Sequence, residues 1–172
     1  MDLKSFIRDV PDFPIKGIVF KDITTLLENS NAFNNAINQM VDKLNNYTFD
    51  KIVAIESRGF IFASTLSYIT NKPLILIRKS DKLPAETESI EYDLEYGSSS
   101  VEIHKNSISK KDNVIIVDDL LATGGSAFAS IKLIERMGGI IAGLIFLVDL
   151  TDLNGGNLLR ENNYKYSSII DY

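Results

Sequence analysis

The sequence predicts an α/β fold, a central parallel sheet flanked by helices on both faces. Three observations carry this reading. The runs Ile52–Ile55, Leu74–Ile77, Val114–Val117 and Ile140–Val148 are continuously apolar rather than alternating, as strands covered on both faces are. They alternate with segments of helical periodicity, and that order implies parallel strands joined by helical crossovers. The chain has 172 residues, of which 45% are hydrophobic and 24% charged. This suits one domain, 1–172, with its own core, whereas two domains would each be too small for a generous one.

Taken in order, Phe33, Ala36, Ile37, Met40, Val41 and Leu44 recur at three- and four-residue spacing opposite Asn34, Asn35, Asn38, Asp42 and Lys43, an amphipathic helix that Asn45, Asn46 and Tyr47 end. Ile52–Ile55 is a short buried strand and Gly59–Ile69 an apolar helix. Pro73 opens the strand Leu74–Ile77. Residues Lys79 to Lys105 fit the pattern badly, because they carry Glu86, Glu88, Glu91, Asp93, Glu95 and the tract Ser98-Ser99-Ser100. An irregular loop is expected there, a lid or a disordered segment. The β-branched run Val114–Val117 then leads through Asp118 and Asp119 to a Gly124-Gly125 turn and a helix over Ser126–Met137. Gly138-Gly139 stops that helix before the strand Ile140–Val148.

A formal net charge of −5 argues against broad binding to nucleic acid or an anionic membrane, both of which use basic surfaces. A local basic patch for a small anion remains compatible with it. The longest apolar stretch, Ile140–Val148, is far short of the roughly 20 residues that cross a bilayer. The first ten residues, with Asp2, Lys4, Arg8 and Asp9, lack a signal peptide's apolar run. Absence of cysteine fits a reducing compartment, and a cytoplasmic location is expected. His104 is the sole histidine. Without a second His or Cys it makes no metal site, and its expected role is structural.

The most informative window is VIIVDDLLATGGS, Val114 to Ser126. In an open parallel sheet the ligand crevice lies beyond the carboxyl ends of the strands. This window puts two carboxylates there, ahead of a loop of small residues that opens a helix. Ala122, Thr123, Gly124, Gly125 and Ser126 offer hydroxyls and approachable N–H groups at the positive end of that helix, a phosphate cradle. No lysine follows the glycines and no G-x-G-x-x-G occurs, so neither the Walker nor the dinucleotide fingerprint is present. Acids beside a phosphate site call for ribose hydroxyls or a bound Mg²⁺. Glu56-Ser57-Arg58-Gly59 also follows a strand and opens a helix, a second anion site at the same sheet edge.

The order of strand, two acids, Ala-Thr-Gly-Gly-Ser and helix resembles the signature of the type I phosphoribosyltransferases. Five further stretches, DFPIKGIVFKDIT (Asp12–Thr24), ESRGFIF (Glu56–Phe62), RKSDKLPAET (Arg78–Thr87), YDLEYG (Tyr92–Gly97) and EIH (Glu102–His104), are similar in the same order to that family's adenine-using branch. Together they cover most of residues 12–150. Ile15-Lys16 and Thr25 stand where that branch favours proline, and Ala85 where glycine is common. These departures affect loop stiffness and remove no charged or nucleophilic group.

The resemblance implies formation of AMP and pyrophosphate from adenine and phosphoribosyl pyrophosphate. The 5′-phosphate then lies on Ala122–Ser126, the ribose on Asp118 and Asp119, and the pyrophosphate near Ser57, Arg58, Arg78, Lys79 and Lys82. Backbone groups at Val19 read adenine's amino edge, Phe20 stacks on the ring, Arg58 approaches the opposite edge and Leu120 packs against it. Lys21 adds charge to the crevice. Glu95, with Arg58, is the expected catalytic group, although by itself Glu95 is one acid in a charged run. Also implied are an N-terminal hood (about 1–30), a mobile loop (about 79–100), Mg²⁺ held chiefly by the substrate with no metal ligands of the protein's own, and a homodimer. Two alternatives stay open at this point: transfer to another base, or a non-catalytic regulator that senses phosphoribosyl pyrophosphate.

Overall fold

The computed structural model describes residues 1–93 and 98–172. Strands β1 (Arg8–Pro11) and β2 (Val19–Asp22) form an antiparallel hairpin near the N-terminus. Helices α1 (Thr24–Leu27) and α2 (Ser30–Leu44) follow. Then come β3 (Lys51–Ile55), α3 (Gly59–Thr70), β4 (Leu74–Lys79), β5 (Thr87–Asp93), β6 (Ser98–His104), β7 (Asn113–Leu121), α4 (Gly125–Arg136), β8 (Ile140–Asp149), α5 (Gly155–Glu161) and β9 (Tyr166–Asp171). The main sheet has seven strands in the order β5-β6-β4-β3-β7-β8-β9. Its pairings from β4 through β9 are parallel, whereas β6 pairs antiparallel with both β4 and β5.

The continuous apolar runs are strands buried on both faces. Ile52, Ala54, Ile115, Val117, Ile145 and Leu147 point to the side covered by α2 and α3, where they meet Ala36, Met40, Phe62 and Leu66. Val53, Ile55, Ile116, Leu144 and Phe146 point to the other side, against Ile131 and Ile134 of α4. Asn29 caps α2 by accepting the N–H of Ala32 (3.0 Å), so the helix starts three residues before its first predicted apolar position. Asn71 ends α3 in the left-handed conformation (φ 53°).

Two differences from the sequence reading bear on the site. The segment expected to be irregular contains a hairpin, with Thr87 opposite His104 and Asp93 opposite Ser98. Val101 and Ile103 are buried beneath it, and their alternation with polar neighbours is the strand signal that the density of acids obscured. Strand β7 runs on through Asp118 and Asp119 to Leu121, with Asp118, Leu120 and Leu121 still paired to β8, while its other neighbour β3 ends at Ile55. The acid pair therefore rises above the end of β3. The chain leaves β3 toward β4 on one side and leaves β7 toward β8 on the other, by α3 and α4 on opposite faces. The gap between β3 and β7 is thus the switch point at which open α/β sheets bind ligands. The C-terminal α5 and β9 had no counterpart in the sequence reading. No helix among the described residues is long and apolar enough to cross a membrane.

Candidate active site

A cavity of about 440 Å³ opens at this switch point, lined by Phe20, Glu56, Ser57, Arg58, Lys79, Lys82, Asp118, Asp119 and Leu120. A smaller one of about 110 Å³ shares Asp118 and Leu120 with it and is lined by the loop Ala122–Ser126. The larger cavity near β9, about 790 Å³ between Tyr47, Asp149, Arg160 and Tyr166, contains none of the predicted site residues. Functional assignment therefore follows the convergence of complementary groups at the switch point rather than volume.

The small cavity is the anion cradle. Gly124 takes φ 85° as the cap of α4, a conformation glycine adopts without strain, and the turn leaves the first N–H groups of α4 without helical partners. Thr123 is exposed at its rim. Ser126 shares a hydrogen bond with Tyr92 of β5 (3.0 Å), so the hairpin touches the cradle directly.

Asp118 and Asp119 stand between the two cavities. Asp118 Oδ1 accepts the N–H of Asp119 (2.9 Å). Burial, and then the charge of Asp119, push the Asp118 carboxyl well above the ordinary carboxylate range. Burial also raises Asp119, against the pull of Arg58. Arg58 Nε lies 2.8 Å from Asp119 Oδ2, close enough for charge pairing, but the N–H is not aligned on that oxygen, which is buried without a hydrogen bond. A donor-bearing ligand would satisfy it. Gly59 makes the arrangement possible, because a Cβ there would stand 2.7 Å from Asp118 Oδ1.

At the other end Glu56 gathers the cations. Its carboxylate pairs with Lys82, accepts the N–H of Lys79 (2.9 Å) and lies 3.4 Å from Arg78 Nε. Burial works against its charge, but Lys82, the Lys79 N–H and Arg78 together hold the carboxyl below its ordinary range. Arg78 is not in the cavity lining; it donates to the carbonyl of Lys82 (2.9 Å).

Phe20 reaches the cavity from the hairpin and faces the Arg58 guanidinium, 5.1 Å from ring centre to Cζ. Val19, beside it in β2, is half-exposed and outside the lining. Contrary to the expectation from the sequence, Lys21 does not join the crevice. Its Nζ pairs with Asp9 (2.7 Å) and covers the ring of Tyr172 (3.9 Å), because the alternation of β2 turns it away from the face of Phe20. His104 lies in β6, away from the cavity. Glu95 lies outside the described residues. Sequence reasoning placed Glu56 and Gly59 in the second anion site without a separate role for either, and gave none to Tyr92 or Glu102, although each stands inside a quoted motif.

The model of the phosphoribosyl transferase domain family matches residues 22–171. An adenine phosphoribosyltransferase of Pelagibacter ubique is 51% identical over 172 residues, covering 100% of this chain and 98% of that relative. The crystal structure of adenine phosphoribosyltransferase from Thermoanaerobacter pseudethanolicus superposes with a TM-score of 0.95 at 47% identity, covering 99% of this chain and 98% of that one. The Saccharomyces cerevisiae enzyme, solved with an imino-altritol bisphosphate and adenine, is similar with a TM-score of 0.88 at 35% identity, covering 98% and 96%.

Proposed function

The chain belongs to the phosphoribosyl transferase domain family, and on that premise we infer that it is an adenine phosphoribosyltransferase, converting adenine and phosphoribosyl pyrophosphate to AMP and pyrophosphate. The observation that carries the reading is the meeting, in one crevice, of an anion cradle, an acid pair and a cationic arm. These are the three chemistries that a sugar bearing a phosphate at one end and a pyrophosphate at the other requires.

In this reading the 5′-phosphate is held by the N–H groups and hydroxyls of Thr123–Ser126, and the ribose hydroxyls donate to Asp118 and Asp119. The pyrophosphate lies toward Ser57, Lys79 and Lys82, drawing Lys82 from Glu56. Adenine enters beside Phe20, Leu120 and Arg58. Its ring nitrogen forms the bond to the anomeric carbon as the bond from that carbon to the pyrophosphate oxygen breaks, and the electron pair of the broken bond leaves with pyrophosphate. Glu95 is assigned the proton that adenine loses, and Arg58 completes the charge around the reacting centre. Closure of the loop near 79–100 over the crevice would keep water from the activated sugar.

The donor set suits a Mg²⁺ carried in by the substrate, since the buried Asp119 Oδ2 has no aligned hydrogen bond and its neighbour Asp118 offers a second carboxylate to the ion's waters. When bound, the ion would offset the charge of the pyrophosphate. We place the enzyme in the cytoplasm, because a multiply charged sugar phosphate does not cross a bilayer. We also take it to be a homodimer, for which the exposed Ile61, Tyr68 and Ile69 of α3 supply an apolar face. Initial rates with adenine, hypoxanthine, guanine and orotate, each with phosphoribosyl pyrophosphate and Mg²⁺, test the function. Turnover of adenine alone is expected, and turnover of none of the four would refute it. Sedimentation at the mass of a single chain would refute the dimer.

A further inference from the structure

Three contacts decide where Lys82 stands. Its carbonyl accepts from Arg78 (2.9 Å), its ammonium pairs with Glu56, and its backbone N–H donates to Glu102 Oε1 (3.0 Å). The first two partners belong to the crevice region, and their contacts rearrange if an anion takes the ammonium from Glu56. The third does not. Glu102 lies on β6, opposite Arg78 in the ladder, only 7% exposed and outside the cavity lining.

The same Oε1 accepts the N–H of Leu83 (3.0 Å), and Oε2 accepts the hydroxyl of Thr87 (3.3 Å). Asp81 takes φ 65°, so the chain turns to aim successive N–H groups at one carboxylate, a concave arrangement suited to an anion. Burial opposes the charge, but the Leu83 and Lys82 N–H groups and Thr87 outweigh it and hold the Glu102 carboxyl below its ordinary range. The loop is thus wrapped around a resident anion, and from it the Lys82 ammonium reaches to Glu56 in the crevice.

We propose that Glu102 is a positioning residue for phosphoribosyl transfer, fixing the backbone of Lys82 so that its ammonium reaches the pyrophosphate. The proposal rests on the assignment of pyrophosphate to the Ser57–Lys82 end of the crevice. A carboxylate that merely held the fold together would weaken every ligand alike. A positioning residue acts on the pyrophosphate end and acts through Lys82.

The test is calorimetric titration of inorganic pyrophosphate with Mg²⁺, and separately of AMP, into wild type, E102Q, E102A, K82A and E102A/K82A. AMP carries no pyrophosphate and reports on the rest of the crevice. Loss of hydrogen bonds to a charged acceptor should weaken pyrophosphate roughly tenfold in E102A. E102Q, which keeps a carbonyl acceptor without the charge, should lose less. AMP affinity should hold in both, and the double variant should bind pyrophosphate no more weakly than K82A, because the two residues share one path. In kinetics the KM for phosphoribosyl pyrophosphate should rise while that for adenine stays. Independent, multiplying losses in the double variant, equal weakening of AMP, or wild-type pyrophosphate affinity in K82A would each overturn the proposal. If E102A does not fold, E102Q and E102Q/K82A carry the same comparison. Failure of wild type to use adenine would refute the activity and leave the pyrophosphate titrations to decide on Glu102 by themselves.

Discussion

Replacing Gly59 by alanine probes how closely α3 must approach β7 for the crevice to exist. The new Cβ would stand 2.7 Å from Asp118 Oδ1, 2.9 Å from the carbonyl oxygen of Val117 and 3.0 Å from Asp118 Cα. Ordinary contact begins at 3.4 Å, so the approach must open by about 0.5 Å at the Val117 oxygen and about 0.7 Å at Asp118 Oδ1. Val117 cannot yield cheaply, because it is paired with Ala54 on one side and Ile145 on the other. The start of α3 must move out, carrying Arg58 with it, or the Asp118 carboxylate must rotate away. Overpacking of this kind costs about 1–3 kcal/mol, and a chain of this length loses roughly 2–4 °C of Tm per kcal/mol. G59A should therefore melt several degrees below wild type. Misplacing a substrate-binding group by a fraction of an ångström should lower kcat/KM for phosphoribosyl pyrophosphate by about tenfold or more. Thermal melting and initial rates at saturating adenine measure both. Wild-type Tm together with wild-type kcat/KM would show that α3 has room to spare and that the contact with Asp118 does not shape the site.

Other perturbations separate the remaining roles. D118N and D119N should each weaken productive binding of phosphoribosyl pyrophosphate, at least one of them by about tenfold or more in kcat/KM, since hydrogen bonds to a charged acceptor are worth ~1.5–3 kcal/mol, and wild-type kinetics in both would remove the ribose from the acid pair. D118N should also melt above wild type at pH 7. Burial and Asp119 raise the Asp118 carboxyl in the folded chain, so the folded state holds a proton that the unfolded state releases, and wild-type stability falls as pH rises through that interval; a pH-independent difference between the two proteins would contradict this. E95Q should slow a single turnover by ~10² to 10⁴-fold with little change in ligand binding, whereas E91Q should not, and an E95Q enzyme as fast as wild type would free Glu95 of the proton. Asp22 is held at about 2 by the hydroxyl and N–H of Thr24 and by Arg8, a lowered carboxyl whose stabilisation is present above the ordinary carboxylate range and lost as pH falls through about 2. Wild type should thus lose stability more steeply than D22N in urea melts between pH 4 and pH 2, and parallel curves would count against it.

Much of the frame was legible because burial on both faces leaves an unmistakable pattern. Val114–Val117 and Ile140–Val148 read as buried strands and are interior strands of the sheet. The acid pair and the Gly124-Gly125 turn were legible because their chemistry is local: each needs only its place after a strand and before a helix. What the sequence hid was whatever depends on a partner far along the chain. Glu102 looks like one more acid in a charged segment until β6 is laid against β4 and its carboxylate meets the turn twenty residues earlier. Glu56 reads as a prelude to Ser57 and Arg58 until Lys82 folds back on it. The edge strand β9, with Ser167 and Ser168 in its middle, lacks the apolar run that marked the interior strands, since an edge strand has less to bury. Lys21 was misplaced for the opposite reason: adjacency to Phe20 in sequence means opposite faces in a strand.

Arg58 and Lys82, two of the cations lining the crevice, are paired with carboxylates, and this bears on how an acidic protein admits a polyanion. Arg58 sits against Asp119, and Lys82, Arg78 and the Lys79 N–H sit against Glu56. A buried charge without a partner is costly, and the buried members of these pairs are the carboxylates of Asp119 and Glu56, which the partly exposed Arg58, Arg78 and Lys82 neutralise. Binding then exchanges one anion for another at Lys82 rather than creating a new ion pair, and the gain is the difference between the two. That difference favours a ligand with several oxygens over a single carboxylate, because each ammonium or guanidinium donor then finds more acceptors. The same logic applies at the acid pair, where Asp118 and Asp119 are raised by burial and gain most from a ligand that brings several hydroxyl donors at once. A ligand with phosphate alone engages one end of the crevice and one with a sugar alone engages the middle, whereas an activated ribose phosphate exchanges partners at every charged position. Selectivity for the whole substrate over its fragments then follows from neutralised groups that repay displacement only when all are displaced together.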